Sequence, residues 1–348
     1  MRVLLTGAAG FIGRRVGTAL RERGDEVVGL DAMIDAAHPA GSDVPAGVER
    51  GDVRDGDLLD RLLPGVDVVC HQSAMVGNGI DAQDLPGFAA HNDLGTAVLL
   101  AAMARARVPR LVLASSMVVY GEGRYTCPAD GDVEPLPRRP EDLDAGLFDP
   151  RCPVCGRPVG WDLVGEDAPI RPRSSYAVSK VAQEQYADAW ATLEQGRCVA
   201  LRYHNVYGPD MPADTPYAGV AAIFRSALER GEGPPVFEDG AQMRDFVHVD
   251  DVAAANVAAV QRVADHPVGV TPYNVCSGHP TDIATMARLI AEEHGGPDPV
   301  VTGRYRAADV RHVVASPAAA VDGLGFRAAV QPEAGLREFA HAPLRPTR

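Results

Sequence analysis

The segment Val3-Leu4-Leu5-Thr6-Gly7-Ala8-Ala9-Gly10-Phe11-Ile12-Gly13 constrains this chain more than any other. A short apolar run breaks into three glycines spaced three apart and then continues in a helical pattern, as a strand does when it turns into a helix around a dinucleotide. Gly7 would let the chain turn sharply off the strand, Gly10 would let backbone N–H groups approach a pyrophosphate, and Gly13 would let the helix pack close to the sheet. The phosphates would then sit at the helix N-terminus. About 20 residues further on, Glu26-Val27-Val28-Gly29-Leu30-Asp31 reads as a second buried strand ending in a carboxylate, where a ribose 2′-hydroxyl needs an acceptor. Asp31 selects NAD over NADP. It would repel a 2′-phosphate, and Ala32 supplies no arginine to receive one. Arg14 and Arg15, the basic residues nearby, read as exposed positions on the first helical turn.

The chain has 348 residues, enough for one large α/β domain and a smaller lobe. Its net charge of −14 and the lack of any basic stripe exclude a nucleic-acid surface. No stretch is long enough to span a bilayer, and Leu4-Leu5 runs straight into the glycine loop where a leader would need a basic and then an apolar region. A cytoplasmic protein is expected. Six cysteines in a reducing compartment point to buried, metal-bound or catalytic thiols in preference to disulfides.

In chain order, short β-branched runs alternate with helical stretches, the pattern of a parallel sheet covered on both faces. The expected fold is α/β, a Rossmann-type doubly wound parallel sheet with a smaller C-terminal substrate-binding lobe. Val66–Cys70, Arg110–Ala114 and Cys198–Arg202 read as buried strands, and Asp52-Val53, after another, would meet the adenine ring. Phe88 to Ala106 reads as one helix, with Asn92 near its start. Residues 1–121 and 173–205 form the expected nucleotide domain, to which 246–270 returns. The proline-rich stretch 122–172 is an insertion with little apolar content of its own. Residues 206–245 and 271–348 form the expected lobe, with helices near Tyr217 to Arg230 and Thr281 to His294 and strands at Pro235-Val236-Phe237 and Tyr273-Asn274-Val275.

The chemistry lies at the carboxyl ends of the strands. Tyr176 and Lys180 are four apart, hence on one face of a helix running to about Glu194. A positive charge there, together with an oxidised nicotinamide, would lower the phenol's pKa towards neutrality and let it take a proton from a carbinol. Ser116, at the end of the strand Ala114-Ser115-Ser116, supplies a hydroxyl for the same substrate oxygen. A tyrosine and a lysine at this spacing are commonly surface residues. Here the loop, the acidic ribose partner, the serine strand end and the Tyr/Lys helix occur in the order that one fold requires.

With those pieces assembled, the chain resembles the extended short-chain dehydrogenase/reductase family, in its nucleotide-sugar epimerase/dehydratase branch, over essentially its whole length. The matching residues are Gly7, Gly10, Gly13, Asp31, Asp52-Val53, His71-Gln72-Ser73-Ala74, Asn92, Ser115-Ser116, Tyr176 with Lys180, Arg202 to Pro209, Arg244 to Val252, and Arg306 with Asp309. The resemblance implies tightly bound NAD, held by these glycines with Phe11, Ile12, Asp31, Asp52, Val53, Gln72, Ser73, Ala74, Asn92, Ser115, Tyr176, Lys180, Tyr203, His204 and Val206. It implies a dTDP- or UDP-linked sugar held by Ser116, Met117, Asn205, Tyr217, Val220, Val236, Phe237, Arg244, Arg306 and Asp309. The two arginines would offer a pyrophosphate the bidentate forks that it favours. Members that eliminate water carry an Asp-Glu pair after the serine, and 3,5-epimerising members carry a cysteine there. Met117 and Val118 can do neither, so the expected reaction is 4-epimerisation through a 4-keto sugar. The branch that converts dTDP-L-rhamnose to dTDP-6-deoxy-L-talose fits best, beside UDP-glucose/galactose or UDP-uronate 4-epimerisation. A 4-keto-sugar reductase and a non-catalytic dinucleotide-binding protein are the other readings. The family also implies a homodimer, paired through the helices at Phe88–Ala106 and Tyr176–Glu194.

Within the insertion, Cys127-Pro128-Ala129-Asp130-Gly131 and Cys152-Pro153-Val154-Cys155-Gly156 repeat one pattern, Cys-Pro-x-[Cys/Asp]-Gly. Two such knuckles face to face would hold structural zinc with Cys127, Cys152, Cys155 and Asp130. The alternative is the relic of an older site, since a fourth cysteine is missing.

Overall fold

The computed structural model describes residues 1–35, 37–38, 41–77, 79, 81–213, 219–306 and 309–346. Its centre is a seven-stranded parallel sheet in the spatial order Gly269–Val275, Arg197–Tyr203, Arg110–Ser116, Val68–His71, Arg2–Thr6, Glu26–Asp31, Val48–Arg50. Strand order reverses between Arg2–Thr6 and Val68–His71, and a ligand crevice opens outside the carboxyl ends at such a point. Successive residues Val3, Leu4 and Leu5 are all fully buried because helices cover both faces. On one face Val3 and Leu5 meet Val16, Leu20, Val252 and Val260; on the other Leu4 and Val69 meet Leu99, Met103, Trp190 and Ala191.

A third core, with Phe224, Phe246, Met286, Ile290, Leu336 and Phe339, belongs to the smaller lobe. Its helices span Val220–Glu229, Ile283–His294 and Pro332–Phe339. Tyr217 lies outside the described residues. The insertion forms its own small sheet, Gly131–Val133, Arg124–Cys127 and Gly160–Asp162, over a cluster of Tyr125, Cys127, Cys152 and Val159.

Two boundaries differ from expectation. Tyr273-Asn274-Val275 is no part of the lobe: Gly269–Val275 pairs along Arg197–Tyr203 as the edge strand of the large sheet. Pro272 blurred its signal, and an edge is where a sheet tolerates proline. The helix Ala318–Leu324 likewise packs Ala320 and Leu324 on the nucleotide domain's core. The long helix is also interrupted, since Leu85–Phe88 passes through a π-helical stretch, Ala89–Leu94, before Gly95–Ala106. That widening turns Asn92 fully inward.

Candidate active site

The glycine loop is shaped by backbone contacts that no side chain could share. A Cβ on Gly13 would lie 2.0 Å from the Gly7 carbonyl oxygen, and Gly7, at φ +67°, would press a Cβ against the backbone of Gln72 and Ser73. Gly10 is different. A Cβ there would meet only the Gly7 oxygen, at 3.2 Å, so the space above it is a cradle. Gly10 caps the helix Phe11–Glu22 without a side-chain acceptor, which leaves the first-turn amides for an anion. At the neighbouring strand end Asp31 accepts from the N–H groups of Ala9 at 2.9 Å and Met33 at 2.8 Å, with His38 Nε2 at 3.4 Å. Burial works against its ionisation, but His38 and the two amides outweigh it and hold the carboxyl below its usual range. These residues fit an adenosine ribose and pyrophosphate.

The cleft that follows is lined by Gly7, Gly10, Phe11, Ile12, Gly13, Gln72, Ala74, Ser115, Tyr176, Lys180, Tyr203 and Val206. Asp52, Val53 and Ser73 line the adjoining adenine-side hollow with His91. Arg345 is a contributor that the sequence did not reveal. The C-terminal segment returns across the loop, pairing with Met211 and Ala213 through backbone bonds of 3.0 and 2.9 Å. Arg345 Nη1 then donates to the Ala9 carbonyl at 3.1 Å, where Arg14 Nε also donates at 2.9 Å. Arg14 is thus exposed but curled onto the loop, and Arg15 is half-buried beside Asp210.

Of the expected cofactor residues, Asn92 and His204 line neither of these hollows, and Ser115 reaches the cleft with its hydroxyl turned away. Asn92 is buried and fastens both main-chain groups of Met75 while donating to Ser179 at 2.8 Å. The Ser115 hydroxyl points inward to Glu184, which is also held by Arg202 at 2.8 and 3.0 Å. His204 is buried, and burial lowers its pKa.

The reacting groups meet at the mouth. Tyr176 lines both the cofactor cleft and a second pocket with Gly77, Met117, Val118, Arg173, Asp309 and Val313. Lys180 Nζ lies 5.9 Å from the Tyr176 ring centroid and donates to the Ala114 carbonyl and Gln183 Oε1, both at 2.9 Å. Gln183 donates to Thr96 Oγ1 at 2.7 Å, and Thr96 in turn meets His71 Nε2 at 3.1 Å. This buried relay fixes where the ammonium points. Burial pushes His71 down to about 3, so its imidazole is neutral. Burial also lowers Lys180 to about 8, against the opposing pull of Glu184.

The expected lowering of the Tyr176 pKa joined a positive charge to an oxidised nicotinamide, and the protein's own groups supply no net lowering. Burial pushes its phenol up to about 12, and the Ser116 hydroxyl works only partly the other way. The protein alone does not ionise this tyrosine, because desolvation exceeds what the Ser116 hydrogen bond returns.

On the substrate side Met117 and Asp309 line the second pocket, the Ser116 hydroxyl lies within hydrogen-bonding reach of Tyr176, and Asn205 presents a buried Oδ1 with no donor among the described residues. Val220 and Phe237 are half-buried, with the Arg304 and Arg306 guanidinium carbons 5.0 and 5.3 Å from the Phe237 ring centroid. Val236 is fully buried as a strand residue of the lobe's core, so its side chain is closed to a ligand. Arg244 also differs from expectation. Its terminal nitrogens donate to the carbonyls of Met243, Val310 and Arg311 at 2.8–2.9 Å, so it clamps that segment where a phosphate fork was expected. Cys127, Asp130, Cys152 and Cys155 converge within the insertion, and none of them lines either pocket.

A model of the NAD dependent epimerase/dehydratase family matches residues 3–142 and 158–276. The dTDP-L-rhamnose 4-epimerase of Burkholderia thailandensis is 33% identical, over 97% of this chain and 93% of that protein. The UDP-glucose 4-epimerase of Mycolicibacterium smegmatis is 31% identical, over 97% and 96%. Among solved structures, the UDP-glucose 4-epimerase of Thermus thermophilus in complex with NAD superposes with a TM-score of 0.74 at 29% identity, over 98% of both chains.

Proposed function

This chain belongs to the NAD-dependent epimerase/dehydratase family, and on that premise we propose that it is a nucleotide-sugar 4-epimerase with tightly held NAD. The observation that carries the reading is the pocket beside Tyr176, in which the two residues following Ser116 are Met117 and Val118. Neither side chain can transfer a proton, so the elimination chemistry that needs a further acid and base there is not supplied. Ser116 would fix the sugar's 4-oxygen, Tyr176 would take its proton, and Lys180, aimed by Gln183, Thr96 and His71, would stabilise the phenolate. When bound, the nicotinamide accepts the C4 hydride and later returns it. The 4-keto sugar turns over between the two events, and Tyr176 then gives the proton back.

The substrate proposed first is dTDP-L-rhamnose, converted to dTDP-6-deoxy-L-talose, on the strength of the Burkholderia relative. UDP-glucose is the second reading, favoured by the Mycolicibacterium and Thermus relatives, and a UDP-uronate stands beside it. The test incubates purified protein with each of the three, without added cofactor, and identifies products by NMR. Substrate deuterated at C4 should give a 4-epimer that keeps its label in ordinary water. An absolute need for NADPH, or washout of the label, would reject the epimerase.

Among the described residues no helix is long and apolar enough to cross a membrane, and a cytoplasmic enzyme is the reading that suits a nucleotide-sugar substrate. A homodimer is supported by Leu94, Val178 and Tyr186, apolar side chains left exposed on the two helical stretches that cover one face of the sheet. A monomer mass by light scattering at micromolar concentration would remove it. We infer in addition that the insertion carries a structural zinc ion outside the reaction.

A further inference from the structure

The cysteine cluster lies in a part of the molecule that cannot hold itself. The small sheet that carries it packs on Tyr125, Cys127, Cys152 and Val159, with Val133 at the edge; Leu143, Phe148 and Val164 are buried elsewhere in the insertion, and Leu136, Leu147, Val154, Trp161 and Ile170 are exposed. So small a cluster does not stabilise three short strands. Yet the chain brings two separate turns together at one point. Cys127 and Asp130 come from the hairpin between Arg124–Cys127 and Gly131–Val133, and Cys152 and Cys155 from a turn 25 residues later. Gly131 at φ +74° and Gly156 at φ +71° close the two turns in the left-handed conformation that glycine adopts freely. In the second, the Val154 N–H lies 3.4 Å from Cys152 Sγ, a backbone donor aimed at sulfur.

Asp130 Oδ2 lies 3.2 Å from Cys127 Sγ and 3.1 Å from Cys152 Sγ, and Cys127 Sγ lies 3.5 Å from Cys155 Sγ. All four donor atoms fall within 4.8 Å of one another. A tetrahedral zinc ion with Zn–S bonds of about 2.3 Å separates its sulfurs by about 3.8 Å, so the donors are already at coordinating spacing. None of the cysteines is in a disulfide. The second turn falls in 143–157, between the two stretches that match the family model.

We propose that Cys127, Asp130, Cys152 and Cys155 form a closed, four-coordinate zinc centre, and that this ion fastens the insertion against the segment expected to hold the nucleotide. The first half stands whatever sugar the enzyme accepts; the second rests on the nucleotide-sugar reading. The fastening runs through named bonds. Tyr125, two residues before the first ligand, donates to Glu122 at 2.9 Å and accepts the His312 N–H at 3.2 Å. Gly123 N–H donates to the His312 carbonyl at 3.0 Å. Arg138 donates to the Asp309 carbonyl at 2.6 Å, and Tyr305 donates to Asp144 at 2.6 Å. Arg311 reaches Asp149, three residues before Cys152, at 2.9 Å. Without the ion, Asp130 is left facing three thiols and the two turns lose their common point.

Wild-type protein expressed with added zinc and purified under reducing conditions should contain close to one zinc per chain by mass spectrometry of the metal. Asp130→Cys should retain it and release it more slowly to a chelator, whereas Cys152→Ser should hold less than a tenth. Cobalt(II) bound in place of zinc should show thiolate charge-transfer and tetrahedral d–d absorption in the wild type, a readout that needs no variant to fold. Metal removal should raise KM for the sugar nucleotide severalfold and open 122–172 to protease while NAD content stays unchanged. Less than a tenth of an equivalent in wild-type protein after incubation with zinc chloride, or a native Cys127–Cys155 disulfide, would overturn the centre. Unchanged KM and protease resistance after complete metal removal would overturn its fastening role. A full equivalent in a protein that epimerises nothing would uphold the centre and remove only the sugar reading.

Discussion

The cofactor cleft and the insertion are held in opposite ways. Around the cleft, atoms are placed by close packing and a buried hydrogen-bond network: Gly13 against Gly7, Asn92 under Met75, and the relay from His71 through Thr96 and Gln183 to Lys180. The insertion is hung on charges. Arg138 pairs with Glu238 at 2.7 Å, and Arg311 joins Glu238, Asp239 and Asp149. The difference teaches which half can tolerate change. Packing fixes the reacting groups to a fraction of an ångström, as hydride and proton transfer demand. Ion pairs fix direction more loosely, which suits a wall that only has to accept a sugar nucleotide.

The largest effect expected on the packed side comes from Tyr176→Phe. Loss of general-base transfer should lower kcat by roughly 10²- to 10⁴-fold with NAD(H) content unchanged, checked by turnover and by release of the nucleotide on denaturation. Near-normal turnover would mean that the packed side does not carry the chemistry.

Next comes the cost of burying Lys180. Its folded pKa of about 8 lies below the ordinary 10.5, so below pH 8 both states carry the proton and the folded state bears the whole penalty. Between pH 8 and 10.5 only the unfolded state keeps the proton, and stability is regained as pH rises. Removing the side chain also strands the Ala114 carbonyl and Gln183 Oε1, a cost that does not vary with pH, so the stability of Lys180→Met relative to wild type should improve by up to about 3 kcal/mol as pH falls from 10.5 to 8. Urea melts across this range measure it, and a pH-independent difference would show that the ammonium is better solvated than the relay implies.

Arg345 sharpens the comparison because it is a charge placed on the packed side. A charge-assisted hydrogen bond to a phosphate is worth about 1.5–3 kcal/mol, so Arg345→Ala should speed NAD loss on dialysis by roughly 10- to 100-fold. Arg345→Lys should restore part of the retention. Wild-type retention in the alanine variant would leave the C-terminal strap as a mere neighbour of the loop.

The smallest effect belongs to the insertion. In Arg138→Met, Glu238 keeps Arg311 as a partner, so no orphaned buried charge is left, although the bonds to the Asp309 and Phe148 carbonyls go with the ion pair. KM for the sugar nucleotide should rise a few-fold with kcat and NAD content unchanged. A fall in kcat of the size seen with Tyr176→Phe would erase the distinction between the two halves.

The sequence by itself determined the parts that are local in the chain. The strand, glycine turn and helix from Val3 to Gly13, the carboxylate at Asp31, the Tyr176–Lys180 spacing and the two cysteine knuckles are each written within a few residues, because turn geometry and helical period act over that distance. The seventh strand was misplaced for a local reason too, since Pro272 broke its pattern while the edge position that excuses it is visible only in the sheet. Tertiary structure decided what each polar side chain does once it arrives. Ser115 turned to Glu184 because Arg202 holds that carboxylate in reach. Arg244 was taken up by the carbonyls of a segment some 66 residues away, and Arg345 came to a carbonyl 336 residues before it. A buried donor goes to whichever acceptor the folded chain puts within three ångströms, and that choice is made only when distant segments have packed.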